Sequence, residues 1–267
     1  MTSSKLTDMD VAHALADAAR VAILPHFRAS DLGAENKLAD GFDPVTVADR
    51  AGEEAMRALL KAHRPDDGIW GEEFGREAGT SGREWVLDPI DGTRGFISGT
   101  PTWGVLIALS GAGGPFLGVV DQPYIGERFS GENGKASVTG PLGSRDIQVR
   151  APRALSEATV FTTFPEVGTE EDRRGFEAVA SRARLTRYGM DCYAYALLAA
   201  GQIDLVIEAG LHAYDVQAPV ALIEAAGGIV TNWEGGPVHD GGRALAASCP
   251  ELHETAMALI ADATATA

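Results

Sequence analysis

Cysteine is nearly absent from this chain of 267 residues: Cys192 and Cys249 are the two there are, far apart and without CxxC spacing. Neither a disulfide framework nor a cysteine zinc site is indicated, and both read as small buried residues. Cations are also scarce, 22 Lys+Arg against 38 Asp+Glu, and the net charge of -16 repels phosphate backbones and anionic lipid surfaces. Direct nucleic-acid binding is not expected. No apolar run approaches the roughly 20 residues that span a bilayer, and the N-terminal stretch "MTSSKLTDMDVAHALADAAR" has no apolar signal-peptide core. The expectation is a cytoplasmic protein with no membrane partner. A Gx4GK[ST] nucleotide loop and a nucleophilic cysteine motif are missing too, and the six histidines show no zinc-ligand spacing.

What the chain does have is apolar material, 45% of its residues, enough for one large core or two lobes. "DVAHALADAARVAILPHF" and "TVADRAGEEAMRALLKAH" carry apolar positions at helical spacing, with Thr46 as the N-cap of the second. The polar, Gly-containing "RASDLGAENKLADGFDP" between them reads as a mobile hairpin or loop. From residue 68, "GIWGEE", "EWVLDP", "WGVLIALS", "FLGVVDQP" and "ERFSG" are short runs bounded by Gly and Pro, hence strands, and "RDIQVR" closes that sheet. After "APRALSEA", strand and helix alternate to the C-terminus. The expected organisation is an α+β lobe over residues 1–151 and an α/β lobe over residues 152–267.

"WVLDPIDGT", residues 85–93, places Asp88 and Asp91 where an apolar strand ends and a turn leads into a helix. Hard carboxylate oxygens beside the free N–H groups of Gly92 and Thr93 suit a divalent cation and a phosphate together. Taken alone, "DPxDG" is more often a solvated Asp-Pro turn. "GEE" at 71–73 also follows an apolar strand, so Glu72 or Glu73 can meet the two aspartates; as a surface pair they would mean nothing. Asp215 in "HAYDVQAPVALIEAAGG" stands in the first turn of an apolar helix, where a simple N-cap is the alternative. Asp49 follows "DPVTVAD" near the start of the second helix.

Together, "DPVTVAD", "GEE", "WVLDPIDGT" and "YDVQAPVALIEAAGG", in this order and spacing, resemble the inositol monophosphatase superfamily of magnesium-dependent, lithium-sensitive phosphatases. The resemblance implies a layered α-β-α-β-α sandwich. It implies that Glu72, Asp88, Asp91, Asp215 and the carbonyl of Ile90 hold two or three Mg²⁺, with Mn²⁺ a possible substitute. Asp49 and Thr93, together with Glu72, are then the catalytic residues that orient and activate the attacking water, and the N–H groups of Gly92 and Thr93 hold phosphate. Cations so placed neutralise phosphate oxygens and stabilise the departing alkoxide in an in-line displacement. Lys37 falls where the family carries a basic residue near the metals; a solvated lysine is the alternative. A homodimer is also implied.

Within the superfamily, "DGTRGFISGTPTWGVLIAL", "GVVDQPYIGERF" and "CYAYALLAAGQIDLVIEAGLHAYD" resemble the histidinol-phosphate phosphatases, which implies a phosphomonoesterase acting on L-histidinol phosphate in histidine biosynthesis. The inositol phosphatases carry a small residue at the position of Asp191 and a hydroxyl-contacting glutamate at that of Glu208. Two acids here suit a leaving group bearing an ammonium and an imidazole. Asp191 as the cap of the helix "CYAYALLAAG" is the alternative. Asp91, Arg94 and Arg187 complete the candidate substrate contacts, with the two arginines either on phosphate or paired with these acids. An inositol-1-phosphate or broad sugar-phosphate phosphatase is the second reading. A protein-binding regulator of transcription or RNA processing is the third.

Overall fold

The computed structural model describes residues 6–29, 35–36, 44–164 and 166–265. Helix α1 (Asp8–Ile23) starts at Thr7, whose hydroxyl accepts the Asp10 N–H while the Asp10 carboxylate accepts the Thr7 N–H. Of the expected hairpin, β1 (Glu35–Asn36) and β2 (Pro44–Val45) are described as an antiparallel pair. Lys37 lies outside the described residues. Helix α2 (Val47–His63) repeats the reciprocal cap with Thr46 and Asp49.

One large sheet follows, built from β3 (Gly68–Gly71), β4 (Gly75–Glu77), β5 (Glu84–Asp91) and, after the short helix α3 (Thr93–Ser98), β6 (Gly104–Gly111), β7 (Gly114–Gln122), β8 (Glu127–Glu132), β9 (Lys135–Gly140) and β10 (Gly143–Ile147). Its order is β10-β9-β8-β7-β6-β5-β3-β4, antiparallel apart from the β3–β5 pair. The expected closing strand is the edge strand β10. Strands β4 and β9 were not expected: "GRE" has no apolar residue and "KASVTG" only two, and both form by pairing with a stronger neighbour.

The second sheet holds β11 (Thr159–Thr162), β12 (Leu185–Tyr188), β13 (Leu205–His212), β14 (Ile229–Thr231) and β15 (Gly241–Ala247) in the order β12-β11-β13-β15-β14. Helices α4 (Glu170–Ala180), α5 (Cys192–Ala199) and α6 (Ala213–Ala225) lie between these strands in sequence, and α7 (Pro250–Thr264) follows the last of them. Only β12, β11 and β13 run parallel; β15 is antiparallel to both of its neighbours.

Three apolar clusters define the layers. Leu15, Ala19, Met56 and Leu60 of α1 and α2 pack on Leu87, Ile107 and Leu117 of the large sheet. Val86, Leu106 and Val120, from the opposite face, meet Tyr195, Leu198 and Leu222 of α5 and α6, which in turn reach Val206 and Ala246 of the second sheet. Phe176, Val179, Leu252 and Ile260 of α4 and α7 cover the far side. The order is α-β-α-β-α, the expected sandwich. Strands apolar on both faces are what a sheet covered twice requires.

Helix α6, which carries Asp215, lies against the strands at glycines. A Cβ on Gly118 of β7 would fall 2.2 Å from the Ala218 carbonyl oxygen, and one on Gly131 of β8 would fall 2.7 Å from Leu222 Cα. Gly118→Ala should therefore destabilise the fold by about 1–3 kcal/mol in urea unfolding, because backbone must move. Gly113→Ala, with nothing within 4 Å of the added carbon, should be close to neutral.

Candidate active site

In a regular strand, Asp88 and Asp91 would point to opposite faces, being an odd number of residues apart. Strand β5 is not regular there. Asp88 pairs with Leu106 and Asp91 with Gly104, so three steps on β5 oppose two on β6. Pro89 has no N–H to give the ladder, and the extra residue is a β-bulge that turns both carboxylates to one side. The Ile90 N–H donates to Asp88 Oδ1 at 2.9 Å, and the Thr93 hydroxyl donates to the Ile90 carbonyl at 3.1 Å. Gly92, at φ 85°, begins α3; a Cβ there would also meet the Asp191 carboxylate carbon at 2.9 Å. The Thr93, Arg94 and Gly95 N–H groups precede the first helical bond, Phe96 N–H to Gly92 O.

Two helix starts bring in further acids. Asp49 and Asp215 each occupy the third residue of a helix, and each lends Oδ2 to the cap: Asp49 to the Thr46 N–H at 2.8 Å, Asp215 to the His212 N–H at 2.7 Å. Capping and site duty are thus compatible in one carboxylate. Oxygens of Asp88, Asp91 and Asp215 lie within 4.8 Å of one another, as do those of Asp49, Glu72 and Glu73. Both glutamates of "GEE" are therefore gathered in, where the sequence left a choice between them.

These carboxylates repel. Burial, then the charges of Glu72, Asp91 and Asp215, push the Asp88 carboxyl well above its usual range. Burial and the neighbouring Asp191 and Asp215 do the same to Asp91. Asp49, fully buried, is raised to about 6, chiefly by desolvation. Its Oδ1 has no hydrogen-bond partner among the described residues. Glu72 and Asp88 line the same cavity, and the charge of Glu72 is one of the causes that raise the Asp88 carboxyl. Clustered oxygens with an orphaned buried atom fit hard divalent cations, and oxygen donors favour Mg²⁺ or Mn²⁺.

A cavity of about 410 Å³ is lined by Glu72, Asp88, Ile90, Asp91, Gly92, Thr93, Arg94, Asp191 and Asp215. It adjoins a chamber of about 180 Å³, with which it shares Asp91, Asp191, Asp215 and Phe164. Asp191 stands at the N-cap of α5, but its side chain makes no capping bond; Asp91 Oδ2 accepts the Cys192 N–H instead, at 2.6 Å. The Asp191 carboxyl is raised to about 6 by burial, against the lowering effect of Arg94. Glu208, raised to about 7 by burial, accepts from the Thr163 N–H and hydroxyl at 2.9 and 2.6 Å and from the Tyr195 hydroxyl at 3.2 Å. The β13–β15 register also slips by one residue between Glu208 and Leu211, beside the site. Arg187 is not brought in: it is exposed on the edge strand β12 and lines neither cavity. Thr163 and Phe164 were missed, having no motif around them, and Tyr195 was missed within a helix whose apolar neighbours make it read as core.

Fold and acid cluster together define a phosphatase of the layered-sandwich class, with clustered carboxylates that suit a divalent metal. The model of the inositol monophosphatase family matches residues 5–265. Over 257 residues the chain is 38% identical to a histidinol-phosphatase of Streptomyces coelicolor, covering 93% of this chain and 95% of that protein. It is 44% identical over 227 residues to the bifunctional phosphatase IMPL2, chloroplastic, of Arabidopsis thaliana, covering 84% of this chain and 64% of that protein, less than two thirds of its length. A solved inositol monophosphatase from Zymomonas mobilis superposes with a TM-score of 0.83 at 41% identity, covering 95% of this chain and 97% of that one. The chain belongs to the inositol monophosphatase family.

An acid whose folded pKa lies above its unfolded one stabilises the fold least at high pH: below the unfolded pKa the cost is absent, and it grows until pH passes the folded pKa. For Asp49, 3.8 against about 6 corresponds to roughly 3 kcal/mol. With metal chelated, the protein should therefore lose stability between about pH 4 and 6, and Asp88→Asn should flatten that loss. At pH 7 in chelator the variant should be the more stable protein by about 1–3 kcal/mol in urea unfolding, and added Mg²⁺ should reverse the order.

Proposed function

We propose that the enzyme hydrolyses L-histidinol phosphate to L-histidinol and phosphate, in histidine biosynthesis. The observation that carries this reading is Asp191, an acid held at the junction of the two cavities without a capping bond of its own. A carboxylate so placed beyond the phosphate site suits a leaving group with an ammonium or imidazolium. The relationship to the histidinol-phosphatase of Streptomyces coelicolor supports the same choice. A second reading, inositol 1-phosphate or another sugar phosphate, is favoured by the likeness to the Zymomonas mobilis enzyme and by Glu208, whose carboxylate already serves three donors.

In this reading Glu72, Asp88, Asp91, Asp215 and the Ile90 carbonyl hold two or three Mg²⁺. Bound there, the cations neutralise phosphate oxygens, acidify the attacking water and stabilise the departing alkoxide. The N–H groups of Gly92 and Thr93 hold phosphate at the start of α3. Asp49, with Oδ2 committed to its cap, has Oδ1 left to take a proton from water. The Thr93 hydroxyl, its hydrogen on the Ile90 carbonyl, has lone pairs to orient that water, and Glu72 stands beside it in the cavity. Arg94 lies over the Phe164 ring at 4.8 Å, at the mouth shared by both cavities, where it can meet phosphate or balance Asp191. Arg187, exposed on its edge strand, lines neither cavity. The homodimer suggested by the resemblance belongs to the same reading.

Rates on histidinol phosphate, inositol 1-phosphate, fructose 1,6-bisphosphate and adenosine 3',5'-bisphosphate separate the substrates. Histidinol phosphate should have the highest kcat/KM, and a preference for inositol 1-phosphate would replace the first reading with the second. Asp88→Asn should lower kcat about a hundredfold or more on every ester, in saturating Mg²⁺. Asp191→Asn should act selectively: loss of a charge-assisted bond costs about 1.5–3 kcal/mol, or roughly ten- to a hundredfold in kcat/KM for histidinol phosphate. A small neutral ester should be cleaved almost as before. Equal losses on both would make Asp191 a support of the metal site instead.

A further inference from the structure

One fully buried acid close to the site belongs to none of the motifs. Glu53 lies one helical turn beyond Asp49 on α2, on the same face, with its side chain completely enclosed. Its Oε2 accepts the Glu73 N–H at 2.7 Å, and its Oε1 accepts the Phe74 N–H at 3.2 Å and the Arg57 Nε–H at 2.7 Å. Arg57 in turn donates from Nη2 to the Gly75 carbonyl. The pair therefore holds the β3–β4 turn from its amide side and its carbonyl side together. The carboxylate fills the space above Gly71, where a Cβ would fall 1.9 Å from Glu53 Oε1. Every residue from 71 to 75 except Glu72 is thus touched by this pair, and Glu72 is the one whose side chain lines the cavity with Asp88.

The Glu53 carboxylate is enclosed, with two backbone amides and the Arg57 guanidinium on its two oxygens, and does not itself reach the cavity. What it does is hold still the segment that carries Glu72 and Glu73 against their repulsion from Asp49 and Asp88. We propose that Glu53, backed by Arg57, is a positioning residue for the metal site, acting through the backbone of residues 72–74 and keeping Glu72 in the cavity it shares with Asp88. The assignment rests on the metal-binding reading above. It explains why a buried ion pair stands on a helix that the core could fill with apolar groups: its amide-facing geometry serves the turn, while a buried pair alone adds little stability. Supporting groups that orient ligands typically contribute ten- to a hundredfold in metal affinity.

The test is Mn²⁺ binding to the whole chain without substrate, with free Mn²⁺ counted by electron paramagnetic resonance. In Glu53→Gln one amide of the turn faces an NH₂ instead of an oxygen. Its Mn²⁺ dissociation constant should rise about ten- to a hundredfold, while KM for the ester at saturating metal stays within about threefold. A folded Glu53→Gln protein with unchanged Mn²⁺ affinity overturns the proposal, however much its melting temperature falls. Should that variant not fold, Arg57→Lys replaces it: the charge beside Glu53 is kept, the Nη2 bond to the Gly75 carbonyl is lost, and a several-fold weaker Mn²⁺ affinity is expected, an unchanged one being the refutation. Asp88→Asn separates the two levels of inference. If the wild-type chain binds no Mn²⁺, or Asp88→Asn binds it equally well, the metal-site reading itself fails; if Asp88→Asn alone loses binding, only the role of Glu53 fails.

Discussion

Like charge gathered out of water is the constraint on which this structure turns. Six carboxylates, those of Asp49, Glu72 and Glu73 and those of Asp88, Asp91 and Asp215, gather in two groups of three at the ends of two strands and the starts of two helices. Each would be more comfortable apart and hydrated, as the upward shifts of Asp49, Asp88 and Asp91 record. The surrounding fold supplies the restraint. Helix caps take one oxygen each from Asp49 and Asp215, the Ile90 amide and the α5 amide take one each from Asp88 and Asp91, and the Glu53–Arg57 pair holds the turn of the two glutamates. A cluster so restrained is preorganised for cations and expensive without them.

The bond from the Cys192 N–H to Asp91 ties the two halves of the cleft into one object. It fixes the start of α5 on the strand end that carries the acid pair, and Asp191 precedes that bond by a single residue, at a left-sided φ of 45°. Gly92 leaves room for it: a side chain there would collide with the Asp191 carboxylate. The two cavities therefore share a wall. Helix α6 sits equally close, with backbone against Gly118 and Gly131, so Asp215 is set by helix-to-sheet contact without a side chain between.

Local chemistry was legible along the chain. Thr46 with Asp49 announces a capped helix, apolar runs bounded by Gly and Pro announce strands, and four acidic motifs in order announce the family. The weak strands β4 and β9 were not legible, because their pairing partners decide them. Nor was the burial of Glu53: an acid four residues before an arginine on a helix reads as a solvated pair, and only the turn folded over α2 makes it an internal clamp. Arg187 stands exposed on an edge strand and lines neither cavity, a placement that sheet order decides and local sequence does not.

By itself the sequence determined which oxygens are present and which elements carry them, because capping, turn and periodicity signals act over a few residues. The tertiary structure decided where those oxygens point. Asp88 and Asp91 share a face because β5 has one residue more than β6 between their pairings, and strand parity is a property of the pair. Asp91 caps a helix that begins 101 residues later, and no spacing along the chain encodes that bond. Convergence of carboxylates is a matter of register and packing between segments, which exists only once the sheet has closed on its helices.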